Sequence, residues 1–280
     1  MRRTALLWIV AWLLTLGSAI WQRRSGPTYP VRVRTAVGAS PIRAKLLKSH
    51  SISSDLPVVV TAPDRAVGGD VVWRRYPTDD PWIALPLVRE GDKLAATLPA
   101  QPMAGKLVYR VVLRRANPAG GVESGATLPE GSPVVARFKG DVSLPLLLVH
   151  VGVIFSAMLW AARAGLEALT RGPRLRRHVA AAAVLMFVGG LILGPFVQKA
   201  AFDAYWTGWP FGHDLTDNKV ALAMLLWIVA WWRGRGDTRD ARGWTLAASF
   251  VTLVIFVVPH SLFGSQFDYA AAAPPPAPRP

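Results

Sequence analysis

VSLPLLLVHVGVIFSAMLWAA, residues 142–162, contains no Lys, Arg, Asp or Glu. At about 1.5 Å of rise per residue it covers a hydrocarbon core of about 30 Å, so the stretch predicts a membrane-crossing helix. Four more charge-free runs, 5–21, 179–197, 220–232 and 244–259, follow the same pattern. Residues 179–197 cross unaided, and the other three cross with help from their flanks. The expected fold is therefore a mixed membrane protein with an α-helical bundle of five spans. Composition agrees, with 52% hydrophobic and 18% charged residues where soluble domains carry about 25% charge. The chain has no cysteine, which excludes a disulfide scaffold, iron–sulfur clusters, thiolate zinc sites and covalent c-type haem attachment.

The first run reads as an uncleaved signal anchor (1–26) rather than a cleaved leader. It is longer than a usual signal core, and Trp21 with Arg23 and Arg24 forms an interfacial belt. Orientation follows from the short loops. Residues 163–177 and 233–242 hold nine arginines, whereas loop 198–219 and the tail hold three basic residues, which places the arginine-rich loops in the cytoplasm. The expected location is a cytoplasmic (inner) membrane, with the N-terminus inside and both residues 27–141 and the C-terminus outside. Much of the +15 net charge then marks topology and contact with the lipid bilayer, and no nucleic-acid partner is expected.

Residues 27–141 alternate with period two at 31–34, 70–76, 82–88, 107–114 and 133–138. Turn signals stand at Pro63-Asp64, Gly68-Gly69, Glu90-Gly91-Asp92 and 117–121. About seven short strands in this length predict an external all-β immunoglobulin- or fibronectin-like sandwich inserted between spans 1 and 2. A four-span membrane domain, 142–269, and a disordered Ala/Pro tail, 270–280, complete the organisation.

Threaded through this topology, His150, His213 and His260 converge on the outer face from three elements. An ionisable group inside an apolar span is costly and faces the bundle interior with a partner, which singles out His150. His178, after Arg176-Arg177, reads as an interfacial residue of the positive cluster, and His50 as a surface loop residue. Loop 198–219 is dense in Tyr205, Trp206 and Trp209. It ends in Asp214, Thr216, Asp217, Asn218 and Lys219, of which helix capping explains one or two. The result is a polar, aromatic pocket at the outer face under the β-domain.

Two imidazoles, aromatic walls and surface cations suit a b-type haem. His150 and His260 are the preferred axial pair, with His213 as a neighbouring donor or alternative ligand. Arg137, Lys139, Lys199 or Lys219 would pair the propionates. Copper or zinc held by His150, His213 and His260 with Asp214, Asp217 or Asp268 is the alternative. None of the five methionines lies in the external loops flanking the pocket, which argues against a Cu(I) carrier.

The segment Ala204-Tyr205-Trp206-Thr207-Gly208-Trp209, followed by Asp214-Leu215-Thr216 and a span opening Val220-Ala221-Leu222, resembles the tryptophan-rich haem-handling loop of the membrane proteins of cytochrome c maturation. The resemblance covers about 30 residues, and Pro210–His213 intervenes before the acid. It implies a haem-platform role for Trp206 and Trp209 and ligand roles for His150 and His260. No G-x-S-x-G, Walker A or H-E-x-x-H motif occurs, so a stand-alone enzyme is not expected. The functional expectation is haem-based electron transfer or haem handling. The alternatives are an accessory subunit of a membrane redox complex and an envelope scaffold that binds another envelope protein through its β-domain.

Overall fold

The structure is a computed structural model that describes residues 2–117, 121–235, 238–259 and 266–271. It divides into two compact units, Met1–Pro27 with Val142–Ser265, and Thr28–Asp141 with Gln266–Pro280. His260 and residues 272–280 lie outside the described residues, so neither the second haem ligand nor most of the expected disordered tail is described.

The second unit is built from strands β1 (Val31–Val37), β2 (Ser40–Leu46), β3 (Ser49–Ser51), β4 (Leu56–Thr61), β5 (Val67–Tyr76), β6 (Ile83–Pro86), β7 (Val88–Glu90), β8 (Lys93–Leu98), β9 (Lys106–Ala116), β10 (Val122–Leu128) and β11 (Val134–Lys139). One sheet has the order β1-β2-β4-β8-β7. The other has the order β3-β11-β9-β5-β6, with β10 also paired to β9. Alternation sets which side each strand buries. In β2, Ser40, Ile42, Ala44 and Leu46 are buried, while Arg43 and Lys45 point outward. Inward residues of both sheets, among them Ile42, Val58, Val71, Val111 and Phe138, form one core cluster.

Eleven described strands replace the seven expected. Gly68-Gly69, read as a turn, lies inside β5 opposite Arg114 and Leu113 of β9. A β-carbon at Gly69 would overlap the Val112 carbonyl oxygen, so glycine serves close backbone approach there, not chain reversal. His50, expected on a loop, lies in β3, which pairs in parallel with β11. Its ring meets Phe138 edge-on at 6.1 Å.

Two carboxylates of this unit are held by arginine. Asp64 accepts from Arg115 Nε at 2.7 Å, and Asp80 binds Arg75. The Arg115 hydrogen bond lowers the Asp64 carboxyl and the Arg75 hydrogen bond lowers that of Asp80. A folded-state value below the unfolded one contributes stability above the ordinary aspartate range of about 3.9, and that stability is lost as pH falls through the folded value. Thermal unfolding of the full chain, followed by β-sheet circular dichroism, should therefore show a modest fall in stability of the β-unit as pH drops below about 4. Asp64→Asn with Asp80→Asn should flatten that part of the profile, and an unchanged profile would show that neither pair couples to folding.

Residues 266–271 belong to this unit, although the sequence placed 266–269 with the membrane domain. The Tyr269 hydroxyl accepts from Lys106 N–H at 2.9 Å and donates to the Lys106 carbonyl at 3.0 Å, while Arg75 stacks on its ring at 5.3 Å.

The helical unit comprises α1 (Arg2–Ser25), α2 (Leu144–Leu169), α3 (Leu175–Met186), a π-helical segment Phe187–Leu193, α4 (Gly194–Phe202), α5 (Leu215–Arg233) and α6 (Thr238–Val257). The backbone is continuously helical over Leu175–Phe202. Four helices are long and apolar enough to cross a membrane: Arg2–Ser25, Leu144–Leu169, Leu175–Phe202 and Arg239–Val257. Many of their large apolar side chains face outward, including Leu13, Leu148, Val184 and Phe250, as they would toward lipid.

Inside the bundle the contacts are made by small residues. Ala157, Ala161, Ala164 and Ala168 form a buried stripe along α2, and Ser249 of α6 donates to the Ala161 carbonyl at 2.9 Å. Trp227 of α5 is fully buried and donates to Thr252 at 2.9 Å. At the π-helical segment, methyl groups on Gly189 and Gly190 would stand 3.1 Å from Ile154 Cδ1 and 2.6 Å from Val220 Cγ1. The two glycines let the widened turn sit close to both α2 and α5.

Candidate functional site

His150 lies two turns into α2 and is half-buried. Its Nδ1 is sealed from solvent and makes no hydrogen bond. The imidazole lines a cavity of about 160 Å³, walled chiefly by apolar residues such as Ile154, Met186, Ala223 and Phe256. Gln198, Asp214, Thr216 and Asp217 contribute its polar lining. The glycines flanking the π-helical turn shape one wall, since a methyl at Gly194 would already be 3.8 Å from His150 Cε1. A buried imidazole nitrogen without a partner forfeits a hydrogen bond.

Of the expected site residues, the structure gathers His150, Asp214 and Asp217 on this cavity. The carboxylates have local tasks. Asp214 caps α5 by accepting from Thr216 N–H at 2.7 Å. Asp217 is buried, and one oxygen collects Thr207 N–H at 2.6 Å, Gly208 N–H at 2.9 Å and Gln198 Nε2 at 3.1 Å. Asn218 accepts from Trp209 N–H, and Lys219 donates to the Val258 carbonyl at the end of α6. Helix capping, loop anchoring and the bond to Val258 therefore account for four of the five polar residues, Asp214, Asp217, Asn218 and Lys219.

The loop aromatics Tyr205, Trp206, Trp209 and Phe211 are not on the cavity wall. Tyr205, Trp209 and Phe211 are exposed, Trp209 to 76% and Phe211 to 82%. Trp206 Nε1 donates to the Trp209 carbonyl at 3.1 Å, which closes the loop on itself. His213 is exposed and also lies off the lining, as does Lys199, which pairs with Asp203 at 2.7 Å. Arg137, Lys139 and Asp268 belong to the β-unit: Arg137 and Lys139 lie on β11, and Asp268 accepts from Ala270 N–H at 2.9 Å. Among the described residues, no three His, Cys, Asp or Glu side chains group so as to hold a metal ion.

A larger cleft, about 650 Å³, lies in the β-unit beside Trp73 and Tyr269. Its arginines are engaged, Arg75 with Asp80 and Arg74 over the Trp82 ring at 4.9 Å.

The sequence reading missed a second polar cluster. It assigned Arg163 to a cytoplasmic loop and His178 to the interface, but α2 continues to Leu169 and both side chains are buried. Arg163 Nη2 meets Glu167 Oε2 at 2.7 Å, and the guanidinium stacks on Trp8 of α1 at 5.6 Å. Glu167 also accepts from Arg174 N–H at 2.9 Å, and His178 Nε2 stands 3.9 Å from its carboxylate, between the rings of Trp8 and Trp160. An i,i+4 Arg–Glu pair is neutral as a unit, so helix can continue through it. The spacing of Arg163 and Glu167 was the signal available, and reading runs by absence of charge discarded it.

No protein-family model, curated protein or solved structure matches this chain.

Proposed function

We propose that the chain is a five-span integral protein of a bacterial cytoplasmic membrane, with its N-terminus inside, that binds a ligand at His150 as part of a membrane redox system. Its external domain is immunoglobulin- or fibronectin-like and offers a surface to redox-complex subunits or another envelope protein. The observation that carries the site is an imidazole within a helix of membrane-crossing length that lines a cavity walled chiefly by apolar residues. A histidine in such surroundings is kept for ligation or proton handling.

The fifth span is α5, whose first turns carry Asp217 and Lys219. Residues up to Asp141 and from Gln266 onward belong to one compact β-unit, and a folded unit lies on one side of a bilayer. The number of crossings between them is therefore even. Three of these helices qualify by composition, and α5, 19 residues long, supplies the fourth crossing. Reporter fusions should be active outside after Tyr269 and inside after Arg235. A cytoplasmic signal after Tyr269 would reverse the topology.

A b-type haem is the second reading. Haem needs only one or two imidazoles from the protein, whereas copper or zinc needs three or more donors, and no such group occurs among the described residues. His150 would be one axial ligand, and His260, outside the described residues, the other. The cavity of about 160 Å³ is smaller than the roughly 300–1,000 Å³ of pockets that enclose cofactor-sized ligands, so haem at His150 requires the neighbouring loop to open. Protein purified in mild detergent should show a Soret band, lost in His150→Ala, if haem is bound. Colourless protein that stays colourless after haem addition removes the haem reading, and elemental analysis tests copper and zinc.

A further inference from the structure

We infer that the tip of loop 203–214, Trp209-Pro210-Phe211, is a lipid anchor seated in the bilayer–water interface, on the side of the membrane where the Leu175–Phe202 helix ends. The proposal is independent of the His150 site and rests on the reading of that helix as a membrane span.

Phe211 and Trp209 are the most exposed large apolar side chains among the described residues. A closed frame of hydrogen bonds beneath them holds the tip in shape. Thr207 and Gly208 N–H donate to one oxygen of Asp217, Trp209 N–H donates to Asn218 Oδ1 at 2.7 Å, and Phe211 and Gly212 N–H both reach the Gly208 carbonyl at 2.9 Å. Pro210 has no N–H, so every backbone donor from Thr207 to Gly212 is already used. A β-carbon at Gly208 would stand 2.6 Å from Asp217 Cβ, and one at Gly212 would overlap the Thr207 carbonyl oxygen, so the frame closes only around glycine at these positions. The rings are therefore displayed by a built turn.

Three features favour lipid over a protein partner. The tip, Gly208–Gly212, carries no ionisable side chain. Its spent donors suit a region poor in water, where an unpaired N–H is costly, whereas a protein partner would find rings but no backbone N–H left to bond. The exposed apolar surface also continues from the membrane span into the loop. Ile192 and Phe196 of the span are exposed, Phe196 meets the exposed Tyr205 edge-on at 5.8 Å, and Lys199 stands 5.6 Å from the Tyr205 ring while pairing with Asp203. Lysine and aromatic rings gather in this way where a helix leaves the hydrocarbon, because each has an apolar body and a polar or charged end.

The chain has no cysteine, so a single introduced cysteine can be spin-labelled without background. Trp209→Cys and Phe211→Cys, at exposed positions, are labelled in the full chain in lipid nanodiscs, and the relaxation of each label by oxygen, which concentrates in lipid, is compared with relaxation by a water-soluble nickel chelate. Val184→Cys, outward on the membrane span, serves as the lipid reference, and Glu90→Cys, exposed on β7, as the aqueous one. The expected result is an oxygen-to-nickel ratio at both tip positions shifted from the Glu90 value toward the Val184 value. A ratio equal to that of Glu90 overturns the anchor and leaves the tip in water, and a label that neither reagent reaches overturns it in favour of a protein contact. Nickel contact at Val184 as well would overturn the membrane span itself. The native ring gives a second measurement: the fluorescence lost on Trp209→Phe should be the part quenched by lipid brominated near the head group more than by lipid brominated near the chain end. No quenching of that part by either lipid overturns the anchor without any label in place.

Discussion

Glu167→Ala should lower the unfolding free energy of the helical unit by about 3–5 kcal/mol, the cost of leaving one member of a buried ion pair unpaired. Arg163 is 1% exposed, and Glu167 is the carboxylate bonded to it. Removing the acid leaves a guanidinium facing Trp8 with no countercharge, and it also frees the Arg174 N–H that begins α3. The stacking on Trp8 recovers only about 1–2 kcal/mol of that loss. Thermal unfolding in detergent, scored by tryptophan fluorescence, measures the effect. The double variant Arg163→Met with Glu167→Leu should return most of the stability, because an apolar pair of similar volume avoids desolvating two charges. If the double variant is as unstable as Glu167→Ala, the charges do more than neutralise each other, and the neighbouring His178 becomes the next residue to replace.

Asp217→Ala should cost about 2–4 kcal/mol locally and release loop 203–213. One carboxylate oxygen holds two backbone N–H groups and the Gln198 amide, and hydrogen bonds to a charged acceptor contribute about 1.5–3 kcal/mol each, though not additively. The Gly208 N–H is buried and would be left without an acceptor. Limited proteolysis should then cut near Trp209 much faster than in the unaltered protein. Asp214→Ala, which removes only an N-cap, should cost about 1 kcal/mol and leave the loop protected. Were the main task of Asp217 to ligate a metal, chelation of the unaltered protein would reproduce the loop release. A loop that stays protected under chelation assigns Asp217 to the backbone.

How legible each feature was depended on how local its physics is. Spans 142–162 and 179–197 could be read because a helix satisfies its own backbone and an apolar run of sufficient length has few other options. Strands β5, β9 and β11 could be read because alternation with period two is written along the chain. Gly69 misled the reading because glycine serves both turns and close strand approach, and only the partner Val112 on β9 separates the two. Asp217 and Asn218 looked like surplus polarity because their acceptor role faces backbone N–H groups of 207–209, and backbone groups carry no residue-type signal. The exposed faces of Trp209 and Phe211 were equally hidden, since aromatic density in a sequence does not say which way the rings turn.

By itself the sequence determined that helices of membrane-crossing length alternate with one strand-rich segment, and that the histidines are the strong nitrogen ligands of a chain without cysteine. Both follow from properties that act residue by residue, namely hydropathy against a fixed bilayer thickness and the donor chemistry of side chains. The tertiary structure alone decided that Tyr269 returns to the β-unit. It also decided that Arg163 and His178 are buried around Glu167, and that His150 shares a cavity with Asp214 and Asp217. These depend on which groups meet across tens or hundreds of residues, and a hydrogen bond or ion pair exists only once packing has brought both of its atoms within about 3 Å.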